Sequence, residues 1–234
     1  MVICGIIYFS VFYGKFYVSA VEITGNNGVL AQDISQKALQ AANTPLINAG
    51  LLRIYSKSII IARKGAIEDN ILQAFPEIDS VNVKKQFPNK ILVQVKERVA
   101  FANACENQQC FLMDSKGILF KEAFQEDLIS ITNEAGLAPL ALRATTISRQ
   151  AIEFIDAISK NLRERFNVTA KSAIVADTLV ITTNEGWQAH FSMQETAEPQ
   201  ITKMNLLLEQ EIVPAQRKNI EYIYLQYQDK AYYK

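Results

Sequence analysis

The sequence predicts an α+β protein in three parts: an N-terminal membrane anchor over residues 1–21, a β-α-α-β-β domain over 22–98, and a mixed β-sheet domain with two helices over 99–234. Three observations predict this. The first residues are almost continuously apolar. Two stretches before residue 98 carry apolar side chains at helical spacing. Most of the remainder alternates at period two between turn residues. No repeat of fixed period and no low-complexity linker is present, so the break near Arg98 reads as a domain boundary without a flexible spacer.

The opening MVICGIIYFSVFYGKFYVSAVEI has no charged side chain before Lys15. As a helix, residues 1–14 would span roughly 21 Å at about 1.5 Å per residue, short of a ~30 Å hydrocarbon core. Extending the span through Tyr17 to Val21 makes it long enough but places Lys15 inside it. A signal peptide would carry a positive n-region and a small-x-small cleavage site, and neither is evident. The expectation is therefore an anchor truncated upstream, with a buried first strand or helix as the plainer reading.

Composition narrows the class. The 234 residues suffice for a real core, and 24 basic against 24 acidic side chains give zero net charge, which argues against a dedicated nucleic-acid binder. At 49% hydrophobic and 21% charged, the chain is globular rather than disordered. One His and three Cys exclude zinc sites built on several such ligands, and no cofactor is expected. Gly25-Asn26-Asn27-Gly28 lacks the spacing of a phosphate-binding loop and reads as a plain turn.

The elements follow in order. Val18 to Thr24 alternates loosely and ends at that turn. Residues 31–42 form a helix with Ile34, Ala38 and Leu39 on one face. Residues 43–65 are less regular, with the run Ser58 to Ala62 only strand length. Ala66 to Phe75 places Ile67, Ile71, Leu72 and Phe75 on a second helical stripe that Pro76 ends. Val81 and Val83, then Ile91, Val93 and Val95, mark two strands around a turn at Phe87 to Lys90, giving a three-stranded sheet backed by two helices. Beyond Arg98 come strands at Val99 to Cys105, Gln109 to Met113 and Ile118 to Phe120. A helix over 147–165 follows, with Ser148 as cap and Ile152, Ile155 and Leu162 inward. Next are strands at Ala173 to Val175, Thr178 to Thr183 and Trp187 to Phe191, then a helix from Glu198 to Gln210 with Ile201, Met204 and Leu208 inward. Two final strands run from Asn219 to Tyr227 and from Lys230 to Lys234.

Cys105 and Cys110 flank the polar turn Glu106 to Gln109 between two apolar runs. If those runs pair as a hairpin, the two Cβ atoms face each other within disulfide reach, in an oxidising compartment. Two reduced, half-buried thiols are the other reading.

One family carries an ordered set of these segments. Here they stand as Pro76-Glu77-Ile78-Asp79-Ser80-Val81-Asn82-Val83, then Pro88-Asn89-Lys90-Ile91-Leu92-Val93-Gln94-Val95-Lys96-Glu97-Arg98, then Asp114-Ser115-Lys116-Gly117-Ile118-Leu119-Phe120. Set after an anchor and an opening Phe16 to Gly25, and before a terminal Tyr222 to Tyr227 and a last strand, they resemble the FtsQ/DivIB-type bacterial cell-division proteins. The first domain of that family is a POTRA (polypeptide-transport-associated) domain. The chain departs from the family at Tyr224-Leu225-Gln226, where Asp-Leu-Arg is frequent, and in a long span between the first helix and Pro76.

The resemblance implies a POTRA-like domain at 22–98 in a single-pass inner (plasma) membrane protein at the division septum, with its bulk outside the cytoplasm. Its implied role is non-catalytic, holding FtsB- and FtsL-type bitopic partners, with further divisome contacts through the POTRA-like domain, and so linking the division ring to septal peptidoglycan synthesis. Residues 1–21 would contact the membrane, and no nucleic acid is expected.

Binding through the last strand has a physical basis, because an edge strand exposes unpaired backbone groups to which a partner segment can add. The candidate partner-binding residues are Tyr227, Lys230, Ala231, Tyr232 and Tyr233. The plainer reading has these tyrosines simply covering the sheet. A second contact is sought around Lys84, Lys85 and Gln86, where a solvated charged turn is the better reading.

Catalysis finds little footing. The single His190 lies in an ordinary alternating strand, no two of the 24 acids are singled out by position, and Trp187 reads as a packing residue rather than a sugar platform. Asn167-Val168-Thr169 fits a glycosylation acceptor only by chance in a bacterial setting. The alternative function is a POTRA-bearing component of protein export or outer-membrane assembly, which would show several tandem units before a barrel.

Overall fold

The computed structural model describes residues 13–49, 52–106, 109–134, 140–227 and 230–234. The fold is mixed α+β, and the chain divides into two compact units, one ending at Arg98 and one beginning at Val99.

In the first unit the strands β1 (Ala20–Thr24), β4 (Ile78–Gln86) and β5 (Lys90–Glu97) form a sheet in the order β1-β5-β4, with β1 parallel and β4 antiparallel to β5. Helices α1 (Ala31–Ala42) and α2 (Lys64–Ala74) cover one face. Period-two alternation puts Val83, Ile91, Val93 and Val95 under the helices, where they meet Ile34, Ala38, Ile67 and Ile71 in one core. Leu39, expected on the inner face of α1, is 41% exposed, and Ala42 takes the inner place, four residues after Ala38.

The stretch expected to be irregular holds a hairpin, β2 (Thr44–Ala49) with β3 (Leu52–Ser56), so the unit reads β-α-β-β-α-β-β. Pro45 within β2 hides the strand from a reading of the sequence, because proline argues against a ladder position. The run after it is a turn rather than a strand. The N–H groups of Ile61 and Ala62 both donate to the Ser58 carbonyl, which buries Ile59 and leaves Ile60 exposed.

Most of the expected anchor, residues 1–12, lies outside the described residues. Among the described residues no helix is long and apolar enough to cross a membrane. Gly14–Phe16 is a single 3-10 turn, Val18 N–H donates to Lys57 O, and Ala20 already begins β1, so residues 14–21 do not continue a helix.

The second unit is a nine-stranded sheet. Its strands are β6 (Ala102–Glu106), β7 (Gln109–Met113), β8 (Leu119–Glu122), β9 (Ile129–Asn133), β10 (Ala170–Val175), β11 (Thr178–Thr183), β12 (Gln188–Ser192), β13 (Tyr222–Tyr227) and β14 (Lys230–Tyr233). They run in the order β14-β13-β12-β11-β10-β9-β6-β7-β8. The pairs β6–β9, β9–β10 and β12–β13 are parallel, and the other neighbours are antiparallel.

Helices α3 (Arg149–Phe166) and α4 (Ala197–Gln210) provide the crossovers and pack on one face. Ser148 caps α3 through its Oγ, which accepts from Ala151 N–H at 3.2 Å, and Asn167 ends it in the left-handed conformation at φ 55°. Ile152, Ile155 and Leu162 are buried as the spacing requires, as are Met204 and Leu208 of α4, whereas Ile201 is only partly covered. Gln200 fills the buried position beside it, its amide tied to Ser192 on both sides. Val99 is 79% exposed and precedes the strand it was expected to start, and Arg217–Asn219 is a 3-10 turn, so the penultimate strand begins at Tyr222. Trp187 is fully buried, with its indole N–H donating to Glu185.

Candidate functional site

The last strand, β14, forms one edge of the nine-stranded sheet. Lys234 and Tyr222 exchange both backbone hydrogen bonds, at 3.2 and 3.4 Å. In an antiparallel ladder the intervening residues point the other way, so the N–H and C=O groups of Ala231 and Tyr233 face away from β13. Ala231 packs against the core, while Tyr232 and Tyr233 are each about half exposed.

The expected binding residues do not form one surface. Tyr232 pairs with Tyr224, on the face opposite the helices, and its ring meets that of Tyr227 edge-on at 5.6 Å. Tyr233 pairs with Ile223, whose side chain is in the core beneath the helices. They share only the strand edge. Lys203 of α4 fixes the adjoining end of β13, donating from Nζ to the Leu225 carbonyl at 2.7 Å and to the Tyr227 carbonyl.

On the face away from the helices, His190 packs against Tyr224 with ring centroids 4.6 Å apart, and Tyr222 lies 4.6 Å from Tyr224. Removal from water pulls the His190 pKa below its ordinary value.

Two of the other sheet edges, β8 and β4, carry contacts from the protein itself. Along β8, Leu119 exchanges hydrogen bonds with the segment 143–144, and Ile118 bridges Thr145. At β4, the Glu68 carboxylate of α2 accepts from Val83 N–H at 2.9 Å. Such coverage blunts an edge against strand addition. Lys84, Lys85 and Gln86 alternate along β4 rather than presenting one patch: Lys84 and Gln86 are exposed, but Lys85 turns to the helix side and donates to Ile60 O at 3.1 Å. Desolvation, then the charge of Lys64, lowers the Lys85 pKa.

The hairpin β6–β7 brings Cys105 and Cys110 opposite one another, with Cα atoms 4.1 Å apart, and the two are joined by a disulfide. At the end of the first unit Glu97 reaches back to the loop after β1, where its carboxylate accepts from the N–H groups of Asn27, Gly28 and Val29 at 2.8–3.1 Å. Its neighbour Arg98 donates to Pro76 O and pairs with Asp79 at 3.3 Å. These contacts give a physical meaning to the Glu-Arg pair in the sequence. The Asp-x-x-Gly motif has one too. Asp114 Oδ1 accepts from Lys116 and Ile118 N–H, both at 2.9 Å, and Gly117 has φ +82° at a place where a Cβ would lie 2.8 Å from Ile152.

Residues 16–98 match the family model described as the POTRA domain, FtsQ-type. Over these residues the first unit is similar to an FtsQ-type POTRA domain. A POTRA domain implies protein–protein interaction in general, and the FtsQ type suggests a role in cell division. The turn at Asp114–Phe120 and the strand at Tyr222–Tyr227 lie beyond the matched residues. Comparison with the curated proteins returns no match. Among the described residues no group of three or more His, Cys, Asp or Glu is placed to hold a metal ion.

Proposed function

We propose that the protein is a non-catalytic scaffold of the bacterial division machinery, holding FtsB- and FtsL-type partners outside the cytoplasm and linking the division ring to septal peptidoglycan synthesis. In this reading residues 1–12 belong to an anchor in the inner membrane, 16–98 are the POTRA-like domain, and 99–234 are the domain that binds these partners. Further divisome proteins contact the POTRA-like domain. The FtsQ-type match over 16–98 supports the division role.

The observation that carries the binding mechanism is the edge position of β14, with the backbone groups of Ala231 and Tyr233 turned outward. An extended partner segment adds there as a tenth strand. Main-chain hydrogen bonds give affinity, and side chains on the two faces, Tyr232 with Tyr227 on one and Tyr233 on the other, give selectivity. The covered edges at β8 and β4 would accept a strand only after their own contacts were released.

The test titrates residues 13–234, and a version ending at Gln228, with the extracytoplasmic segments of the FtsB- and FtsL-type proteins of the same genome. Binding lost with the last strand supports both role and mechanism. Binding that survives truncation keeps the role and rejects strand addition at β14. No binding by the folded longer chain rejects the division reading and favours the export alternative.

A further inference from the structure

One end of the first unit gathers three segments that are far apart in sequence. Val18 N–H donates to Lys57 O at 3.0 Å, Ile59 N–H donates to Phe16 O at 2.8 Å, and Tyr17 bridges Ser58, which joins residues 16–18 to 57–59. Ser19 N–H donates to Asn89 O at 3.0 Å, and Lys85 Nζ donates to Ile60 O at 3.1 Å, which brings in the turn between β4 and β5. The ring of Tyr13 meets that of Phe16 edge-on at 6.2 Å, and the mostly apolar residues 2–12 lead into Tyr13.

The charge at this end has one sign. Segments 13–19, 55–66 and 84–90 contain no Asp or Glu. The first supplies Lys15, the second Lys57, Arg63 and Lys64, and the third Lys84, Lys85 and Lys90. Lys84 and Lys85 point to opposite faces of β4, yet both stand at this end of it. Glu22 pairs with Lys90 at 3.2 Å, whereas Lys15, Lys57, Arg63, Lys64 and Lys84 are exposed. Burial and then the charge of Lys64 lower the Lys85 pKa, so cations here face one another. The opposite end of the unit, where Ile78 pairs with Glu97, mixes Glu77, Asp79 and Glu97 with Lys96 and Arg98. Among the cations Tyr13, Ile60 and Phe87 are 43%, 39% and 61% exposed. We propose that this end of the first unit docks on the surface of a bilayer that contains anionic phospholipid.

The chemistry of the surface selects that occupant. Lipid phosphates relieve the repulsion among the Lys and Arg side chains, and each cation close to such a surface strengthens binding about fivefold. Exposed rings and aliphatic groups suit the headgroup layer, and lysine stems lie along apolar surface while their ammonium groups stay in water. Phe87, at the tip of the β4–β5 turn, is placed for that layer beside Lys84 and Lys90. An acidic polypeptide meets the cations too, but the apolar residues 2–12 are covalently continuous with Tyr13 and favour a lipid surface at this end. The inference extends the anchor reading, and the test separates the two.

The test mixes the full chain carrying Phe87→Trp with vesicles of phosphatidylcholine, and with vesicles that also contain phosphatidylglycerol, both brominated in the acyl chains. Trp187 is fully buried in the second unit, so the unsubstituted chain supplies the background. The proposal expects quenching of the added indole to be about twofold stronger with phosphatidylglycerol than without it, and the excess to fall in high salt. Lys15→Gln/Lys57→Gln/Lys84→Gln changes three exposed sites and should leave the circular dichroism unaltered. It should abolish the excess, since three such charges together are worth on the order of a hundredfold in affinity. Flotation with the phosphatidylcholine vesicles tests the anchor: failure there sinks that reading, and the phosphatidylglycerol vesicles still report on this surface. Equal quenching by both vesicles, quenching by neither, or an undiminished excess in the triple variant overturns the proposal. A response to soluble polyglutamate and not to phosphatidylglycerol overturns it as well, and assigns the surface to an acidic polypeptide.

Discussion

Tyr232 of β14 lies directly opposite Tyr224 of β13, whereas Tyr233, next in sequence, lies opposite Ile223. Neighbouring tyrosines therefore look out from opposite faces of the same edge. A strand added to that edge would meet both, one on each of its own faces.

Ala231→Pro removes an outward-facing N–H without removing a bond to β13. It should abolish partner binding while the thermal midpoint moves by no more than a few degrees. Calorimetry beside a binding titration checks both, and retained affinity would reject main-chain pairing at this edge. Tyr232→Ala and Tyr233→Ala should each weaken binding with little loss of stability.

Lys203 ties α4 to the end of β13 through two backbone carbonyls. Lys203→Met keeps the aliphatic stem and removes the donors. The expected loss is about 1–2 kcal/mol, toward the low end for hydrogen bonds to a charged group because the site is part-exposed. Faster amide exchange should be confined to Leu225, Tyr227 and β14, and a uniform change across the sheet would contradict the assignment.

Glu97→Ala leaves the N–H groups of Asn27, Gly28 and Val29 without their acceptor. The loop is largely exposed, so water replaces part of the loss and the expected destabilisation is about 1 kcal/mol. Gly25→Ala should be worse. Gly25 has φ +84°, and a Cβ there would collide with the carbonyl oxygen of Val95. Urea midpoints of the two variants should rank in that order.

His190 is the one titratable imidazole in the chain, and desolvation depresses its folded-state pKa. Unfolding exposes it to water, where its pKa is about 6.5. The stability held by the neutral ring is fully present above that value and is lost as pH falls through the lower folded pKa, because the unfolded chain binds the proton first. His190→Phe should flatten the fall in thermal midpoint between pH 7 and 5, and an unchanged slope would show that other groups cause it.

Reduction of Cys105–Cys110 opens a ring closed over only five residues of separation. Chain entropy for so short a loop is worth up to about 2 kcal/mol, and less here because the hairpin already orders the turn. Cys105→Ser/Cys110→Ser should lower the denaturation midpoint modestly and leave β14 exchange unaltered. Ellman titration of the native protein should find neither thiol.

Local sequence determined much of this protein. The valine alternation at 81–95, the helical stripe at Ile67 and Ile71, the Ser148 cap and the Asp114–Gly117 turn are all short-range physics, legible within a few residues. The FtsQ-type motifs were legible for the same reason, and Glu97 with Arg98 shows why: each pins a specific piece of backbone. The β2–β3 hairpin was not legible, because Pro45 contradicts the local pattern and non-local pairing overrides it. Tertiary structure alone decided which strands are edges, that Glu68 reaches Val83 and that segment 143–145 covers β8. Those facts depend on hydrogen-bond partners drawn from distant parts of the chain. A period of two assigns a side chain to a face but cannot say what stands beside the strand.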